Sequence, residues 1–254
     1  MKRNVDIGLE GVRGAIIHHA FNGHPLKTFL VTFETKRKVL STQDGFKEVK
    51  FVGNNHAPQE LWGYVHKHFD EYRLRLCHDL GITLEDTAML FTGADVDNIC
   101  IVCDGYRDVR FCACITAGVR TNAQRIGVDK ASSVEIDEGK FENIDTVNVI
   151  LLTNAHLSGG AMARSLITIT EAKTIAFQDL DIRSSYNPAL QATGTGTDSI
   201  IVVGGLGPKI TFVGGHTLAG ETMARIVTHG VKEAILKSEP SYGMQEGDRV
   251  IKRD

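Results

Sequence analysis

The residues best equipped for chemistry lie in one short run, Thr193-Gly194-Thr195-Gly196-Thr197-Asp198. Three hydroxyls and a carboxylate within six positions can converge on one point, and the two glycines let the backbone come close to a ligand. The run therefore reads as the floor of a polar site. It is neither a phosphate-binding P-loop, since no Gly-Lys-Thr follows, nor a G-x-G-x-x-G turn at a helix start, so nucleotide binding draws little support. Three other segments share its layout, in which an apolar run ends in small and polar residues. Residues 116–123 bring Asn122, residues 153–158 bring Asn154 and His156, and residues 214–221 bring His216 and Glu221. Active-site groups commonly sit where strands give way to loops and helices. Each segment also has a plainer reading: 116–118 as a turn, Asn154 and Ser158 as helix caps, His216 as a helix entry.

The elements that must position these residues follow from periodicity. Short apolar runs at 14–17, 28–33, 38–41 and 48–52, separated by Asn22-Gly23, Glu34-Thr35 and Asp44-Gly45, predict an antiparallel meander. Leu61, Val65, Phe69, Tyr72, Leu76 and Leu80 predict one helix over 59–80, with Gly81 as its C-terminal cap. Strand-like runs follow at 88–92, 99–103 and 109–116, the last two joined as a hairpin across 104–108. The β-branched run 146–153 predicts a buried central strand. Ser158 then caps a helix to about residue 180, with Met162, Leu166, Ile169, Ala172, Ala176 and Leu180 as its stripe. Strands at 199–204 and 209–213 precede a last helix over 218–237, and residues 239–254 read as a tail. With no internal repeat or low-complexity linker, residues 1–238 are expected to form a single domain. Its class is α/β: a layered sandwich of mixed β-sheets with long helices on the outer faces.

Bulk properties narrow the function. The 254 residues carry 28 Lys and Arg against 31 Asp and Glu, which argues against a basic nucleic-acid-binding surface. No run has the length and apolarity of a membrane helix or a signal core, so the expected place is the cytoplasm, with no membrane partner. Five cysteines, four of them on neighbouring apolar runs, do not form a disulfide framework, and reduced thiols are the simpler expectation. Cys100 and Cys103 have C-x-x-C spacing, but a strand would turn the two thiols to opposite faces, and no zinc-knuckle loop surrounds them. No metal site is expected, and no H-E-x-x-H occurs.

Taken together, the segments resemble a known family. Thr116-Ala117-Gly118 with Thr121-Asn122-Ala123, Thr146-Val147-Asn148-Val149-Ile150-Leu151 with Thr153-Asn154-Ala155, residues 158–161, Thr170-Glu171-Ala172-Lys173, residues 192–198, and His216-Thr217 with Gly220-Glu221 are similar to the adenosylcobinamide amidohydrolase family. Val39-Leu40-Ser41 and Phe91-Thr92-Gly93-Ala94 resemble its earlier segments, so the likeness spans roughly residues 40–231 in order. It implies a hydrolase of corrinoid salvage and cobalamin biosynthesis. Its small-molecule partner is the corrinoid substrate adenosylcobinamide, whose aminopropanol amide is cut to give adenosylcobyric acid, with no cofactor required. A homo-oligomer is compatible with this. An amide hydrolase must activate water or a nucleophile, stabilise an oxyanion and protonate the departing amine. Those requirements assign Asp198 or Glu221 as the expected general base, His216 as proton donor, and Thr195 or Thr197 as competing nucleophile. Asn122, Asn154 and the backbone around Gly194 and Gly196 would supply oxyanion donors, with Thr193 and His156 as further substrate contacts. Phe91, Tyr106, Phe111 and Tyr186 would form apolar walls for a bulky ring. Two other classes fit the same residues: a non-catalytic corrinoid- or small-ligand-binding protein, and a self-processing threonine or serine hydrolase.

Overall fold

The structure is a computed structural model that describes residues 1–131 and 146–243. Its elements are β1 (Lys2–Val5), β2 (Val12–Phe21), β3 (His24–Ser41), β4 (Gly45–His56), α1 (Gln59–Lys67), α2 (Phe69–Asp79), β5 (Thr87–Thr92), β6 (Cys100–Tyr106), β7 (Val109–Ala117) and β8 (Ala123–Gln124). They continue with β9 (Val147–Thr153), β10 (His156–Leu157), α3 (Gly159–Asp179), β11 (Gly194–Thr195), β12 (Ser199–Val203), β13 (Lys209–Ile210) and α4 (Leu218–Ser238).

One nine-stranded mixed sheet runs β1-β2-β3-β12-β9-β7-β6, with β4 on the other side of β3 and β5 beyond it. Its β12–β9 and β4–β5 pairs are parallel. The long strand β3 makes it curl. Its first part pairs with β2 through Val12↔Phe33, its last residues pair with β12 through Val39↔Val203, and the register with β4 shifts between Thr32 and Arg37. A bulge sharpens the local twist, so β2 and β12 leave the same edge of β3 in different layers.

The alternation of side chains then yields three cores. Between the two layers of sheet, Phe29, Val31, Val52 and Leu90 meet Cys114, Ile150, Leu152 and Ile201. On one outer face, α1 and α2 cover Leu26, Leu30 and Met89 with Leu61, Val65, Tyr72 and Leu76. On the other, α3 and α4 cover Phe111, Ile115, Val149, Leu151 and Val202 with Met162, Ile169, Phe177, Met223 and Val227. Gly230 costs α4 about 1 kcal/mol of helix propensity relative to Ala. A Cβ there would stand 2.7 Å from Ile115 Cδ1, so glycine is what lets the helix lie this close to β7. The result is the expected layered α/β sandwich with long helices outside. The central strand β9 is buried at all seven positions, as its β-branched run predicts.

Several local expectations are corrected. Glu34-Thr35 does not end a strand, because β3 absorbs it as an irregularity while keeping its partner β4. The single helix over 59–80 is two, broken where His68 takes φ −131° and ψ 41°. Gly81 does adopt the left-handed φ of +69° that a helix stop favours. Cys103 and Cys112, directly opposite in the β6–β7 ladder, are joined as a disulfide, whereas Cys77, Cys100 and Cys114 remain free thiols. The first residues of the expected tail form a turn over Pro240–Gly243, with Tyr242 packed on the α4 core; residues 244–254 lie outside the described residues. Among the described residues no helix is long and apolar enough to cross a membrane.

Candidate functional site

Strands β9 and β12 run in parallel, so each end of the pair gathers its own loops. At the N-terminal end, Asp198 stands just before β12. Its Oδ1 accepts from Val147 N at 3.0 Å and from the Thr195 hydroxyl; its Oδ2 accepts from Thr195 N at 3.0 Å and from Lys173 Nζ. A carboxylate has about four acceptor positions, and here protein donors fill all four. Asp198 is therefore fixed in one orientation, and the proton it is best placed to receive is that of Thr195.

Each partner is delivered by local sequence logic. Ser158 Oγ caps α3 at Ala161 N, and the helix carries Lys173 four residues from Ile169 and four from Phe177, on the buried stripe. Lys173 is only 9% exposed. Burying an ammonium and a carboxylate is costly unless they are paired, which favours the observed contact. The two-residue pair β8–β11 holds the 193–196 segment. Thr193 is spent on that scaffold: its hydroxyl accepts from Ile126 N at 3.1 Å and its carbonyl accepts from Thr174 Oγ1 at 3.1 Å. The glycines serve close approach. A side chain at Gly194 would collide with Lys173 and Asp198, and one at Gly196 would reach 2.9 Å from Asn122 Oδ1.

Asn122, buried beside this run, accepts from Tyr186 OH at 3.1 Å, and its carbonyl accepts from Gly196 N at 3.2 Å. Thr197 hands its carbonyl to Thr146 Oγ1 at 2.6 Å. From Thr146 a buried polar chain enters the inner core: Asn148 Nδ2 donates to Asn54 Oδ1 at 2.8 Å, and Asn54 Nδ2 donates to Thr116 Oγ1 at 2.8 Å. Such a network rigidifies a core when every member is satisfied. Lys173, Thr195, Asp198, Gly194 and Gly196 line one cleft of about 350 Å³ with Val147, Leu166, Ile169 and Thr42. Its walls are aliphatic and its floor is polar, the usual make-up of a small-molecule site.

The remaining predicted residues lie at the other end of β9, seven residues and roughly 20 Å away along the strand. Asn154 Oδ1 accepts from Arg110 N at 2.8 Å and its Nδ2 donates to Asp108 O at 2.7 Å, which clamps the β6–β7 hairpin. His156 is exposed on β10, and His216 is exposed beside Gly214 before α4. Glu221 is exposed and pairs with Arg225 at 3.0 Å; Arg225 also holds Asp104 at 2.7 Å, which keeps that carboxyl below the usual carboxylate range. Asp198 and His216 are thus not neighbours, and neither are Asp198 and Glu221. Two further expectations are corrected by what the groups touch. The N–H groups of Thr195 and Gly196 are committed to Asp198 and Asn122, so they are not open oxyanion donors. Of the four proposed wall residues, Tyr186 borders the site, Phe111 is fully buried, Phe91 stacks on Phe69 under α2, and Tyr106 packs on the helix-side core.

Lys173 is the functional candidate that reading the chain for polar loops misses. The signal was present: a lysine at a position where the apolar stripe of a helix should continue. Among the described residues no group of three or more His, Cys, Asp or Glu side chains could hold a metal ion.

Residues 13–242 match the family model described as adenosylcobinamide amidohydrolase. An uncharacterized protein of Methanocaldococcus jannaschii is 48% identical over 223 residues, which cover 84% of this chain and 87% of that protein. An adenosylcobinamide amidohydrolase of Methanosarcina mazei is 33% identical over 100 residues, 35% of this chain and 46% of its own length. Among solved structures, the L-aminopeptidase D-Ala-esterase/amidase of Ochrobactrum anthropi, described as a variant of the Ntn hydrolase fold, overlays with a TM-score of 0.45 at 12% identity. The overlay covers 91% of this chain and 85% of that one.

Proposed function

The chain belongs to the adenosylcobinamide amidohydrolase family, and from that premise we propose that it hydrolyses the aminopropanol amide of adenosylcobinamide in the Lys173–Thr195–Asp198 cleft. The observation that carries this reading is the junction of a threonine hydroxyl, a carboxylate and a lysine ammonium in one small cleft. A hydroxyl becomes a nucleophile when a base within hydrogen-bond reach takes its proton.

In the proposed sequence Thr195 Oγ1 attacks the amide carbonyl and its proton passes to Asp198 Oδ1. The tetrahedral intermediate collapses, the C–N bond breaks, and the departing amine takes the proton from Asp198. Water then attacks the threonyl ester, Asp198 receives its proton, and the ester bond breaks to release the acid and restore the Thr195 hydroxyl. Lys173 Nζ has three N–H donors, one of them directed at Asp198. Its positive charge beside the reacting carbonyl would stabilise the developing oxyanion. Asn122 and the β8–β11 pair position the threonine. A cleft of about 350 Å³ suits the amide arm, with the corrin ring outside against exposed Ile126, Val128 and Tyr186.

Incubation with adenosylcobinamide and chromatography of the corrinoid tests the activity. Adenosylcobyric acid should form with the wild type and not with Thr195→Ala. Tight binding without product from the wild type would instead support a non-catalytic corrinoid binder. Mass spectrometry after rapid quenching should find an acyl adduct on Thr195. If Thr195→Ala turns over normally, the threonine only holds the substrate and a water attacks.

A further inference from the structure

The other end of the β9–β12 pair holds a second cleft, where β2 and β12 part company along β3. It encloses about 490 Å³ between the 8–12 turn, the β3 irregularity and the Gly204–Gly207 segment. Its walls are Val12, Phe33, Leu152 and Val203, and two guanidinium groups, Arg37 and Arg110, line it. Arg110 is tied at the rim, where Nη1 donates to Arg107 O at 2.7 Å and Val109 O at 3.1 Å.

Arg37 is different. Its Nη1 is buried and has no hydrogen-bond partner among the described residues. Burial also pulls the guanidinium below its ordinary value, only partly offset by Glu34. Arg37 as a whole is half-buried, but a donor atom closed off from solvent costs more unpaired than paired, and such an atom in a native protein calls for an explanation such as a bound ion or water.

The neighbouring polar groups do not meet that need. Glu10 and Glu34 also line the cleft, but neither bonds Arg37 Nη1: Glu34 lies 3.7 Å from Arg13, and Glu10 is exposed. The backbone donors of the glycine segment are already used: Gly204 N on Lys38 O, Gly205 N on Ala155 O and Gly207 N on Asn154 O. What the cleft offers an incoming molecule is therefore one unmet guanidinium donor at the end of an apolar slot.

We infer that this cleft is a second ligand site, which takes a small molecule by a carboxylate or phosphate group held on Arg37. The planar guanidinium fork matches both oxyanions, and the aliphatic walls suit a short apolar body behind the charged head. The site is independent of the proposed hydrolysis, being on the opposite end of the strands and sharing no lining residue with the Asp198 cleft.

Calorimetric titration of the full chain with inorganic phosphate, and separately with acetate, tests this. At least one probe should bind, with a Kd on the order of 1 mM, and the one that does identifies the head group. Arg37→Gln should weaken binding by about tenfold or more, and Arg37→Lys, which keeps the charge but loses the fork, by less. If Arg37→Gln does not fold, Arg110→Gln serves, with a smaller loss expected at the rim. Lys173→Met should bind as the wild type does. The inference is overturned if neither probe binds, as when a water alone occupies the place, or if both Arg37 variants bind like the wild type. Loss of binding in Lys173→Met that circular dichroism shows to be folded also overturns it, because the anion would then sit in the hydrolytic cleft.

Discussion

The two ends of the β9–β12 pair solve opposite problems. At the N-terminal end every acceptor position of Asp198 is filled by the chain itself, from a helix and two strands. At the C-terminal end Arg37 keeps a buried donor unmet. A carboxylate locked by four donors is preorganised, so a substrate meets the reacting groups without rearranging them. An unmet donor is instead an energetic deficit that a ligand can relieve. Completeness thus marks the end suited to chemistry, and deficit the end suited to binding.

The sharpest way to break this contrast is to remove the reacting groups at both ends. Thr195→Ala or Asp198→Asn should lower turnover of adenosylcobinamide about a thousandfold or more, because groups acting as a unit fail together. His216→Ala and Glu221→Gln should stay within about twofold of the wild type, since both side chains are exposed at the other end of the strands and Glu221 is paired with Arg225. Steady-state rates from product chromatography decide the matter. Loss of activity in His216→Ala with retention in Thr195→Ala would exchange the roles of the two ends.

Lys173→Met should come next. It strips the partner from a carboxylate that is itself mostly buried, so unfolding should become easier by about 3 kcal/mol. Thermal or urea unfolding reads this, and the double variant with Asp198→Asn should lose less than the sum of the singles. Smaller, and opposite in kind at the two ends, are two glycine changes. Gly205→Ala pushes a methyl group into the Asn154 backbone, which cannot move aside, and should cost about 1–3 kcal/mol of stability with little effect on turnover by the remaining folded protein. Gly194→Ala meets the end of the flexible Lys173 side chain and Asp198 Oδ2, so it should disturb activity more than stability.

Much of the scaffold was legible in the chain. The β-branched run at β9, the Ser158 start of α3, the extent of α4 and the β6–β7 hairpin follow from period and capping, which are local properties. The continuity of β3 through Glu34-Thr35 was not legible, because pairing with β4 on both sides of the irregularity outweighs the local breaker. The Thr193–Asp198 run announced a polar site through its composition alone. What composition could not supply was distance: four similar segments lie on two ends of one strand pair, those holding Asn122 and Asp198 meeting at one end and those holding Asn154 and His216 lying at the other. Lys173 was legible only as an exception, a charge on an apolar stripe, and Arg37 only once the layers were folded around it.

Acid should act on both ends alike, which makes it a useful control on the contrast. No histidine lines either cleft. The histidines that burial depresses, His19 and His56, sit in the first layer of sheet, and His56 also feels Lys27 on one side and Asp95 and Asp97 on the other. Both rings have a buried Nδ1 without a partner among the described residues. Because their folded values lie below the unfolded value of about 6.5, the unfolded chain takes up protons that the folded chain refuses as the pH falls. Stability should therefore be full above about pH 7 and decline below about pH 6.5. His56→Gln should remove roughly half of that decline, since two groups share it, and leave turnover at neutral pH unchanged. Melting temperatures across this range, measured beside turnover, check the sign. A variant that keeps the full acid sensitivity would move its origin away from His56, and one that loses turnover at neutral pH would tie the first layer to the Asp198 end through Asn54 and Asn148.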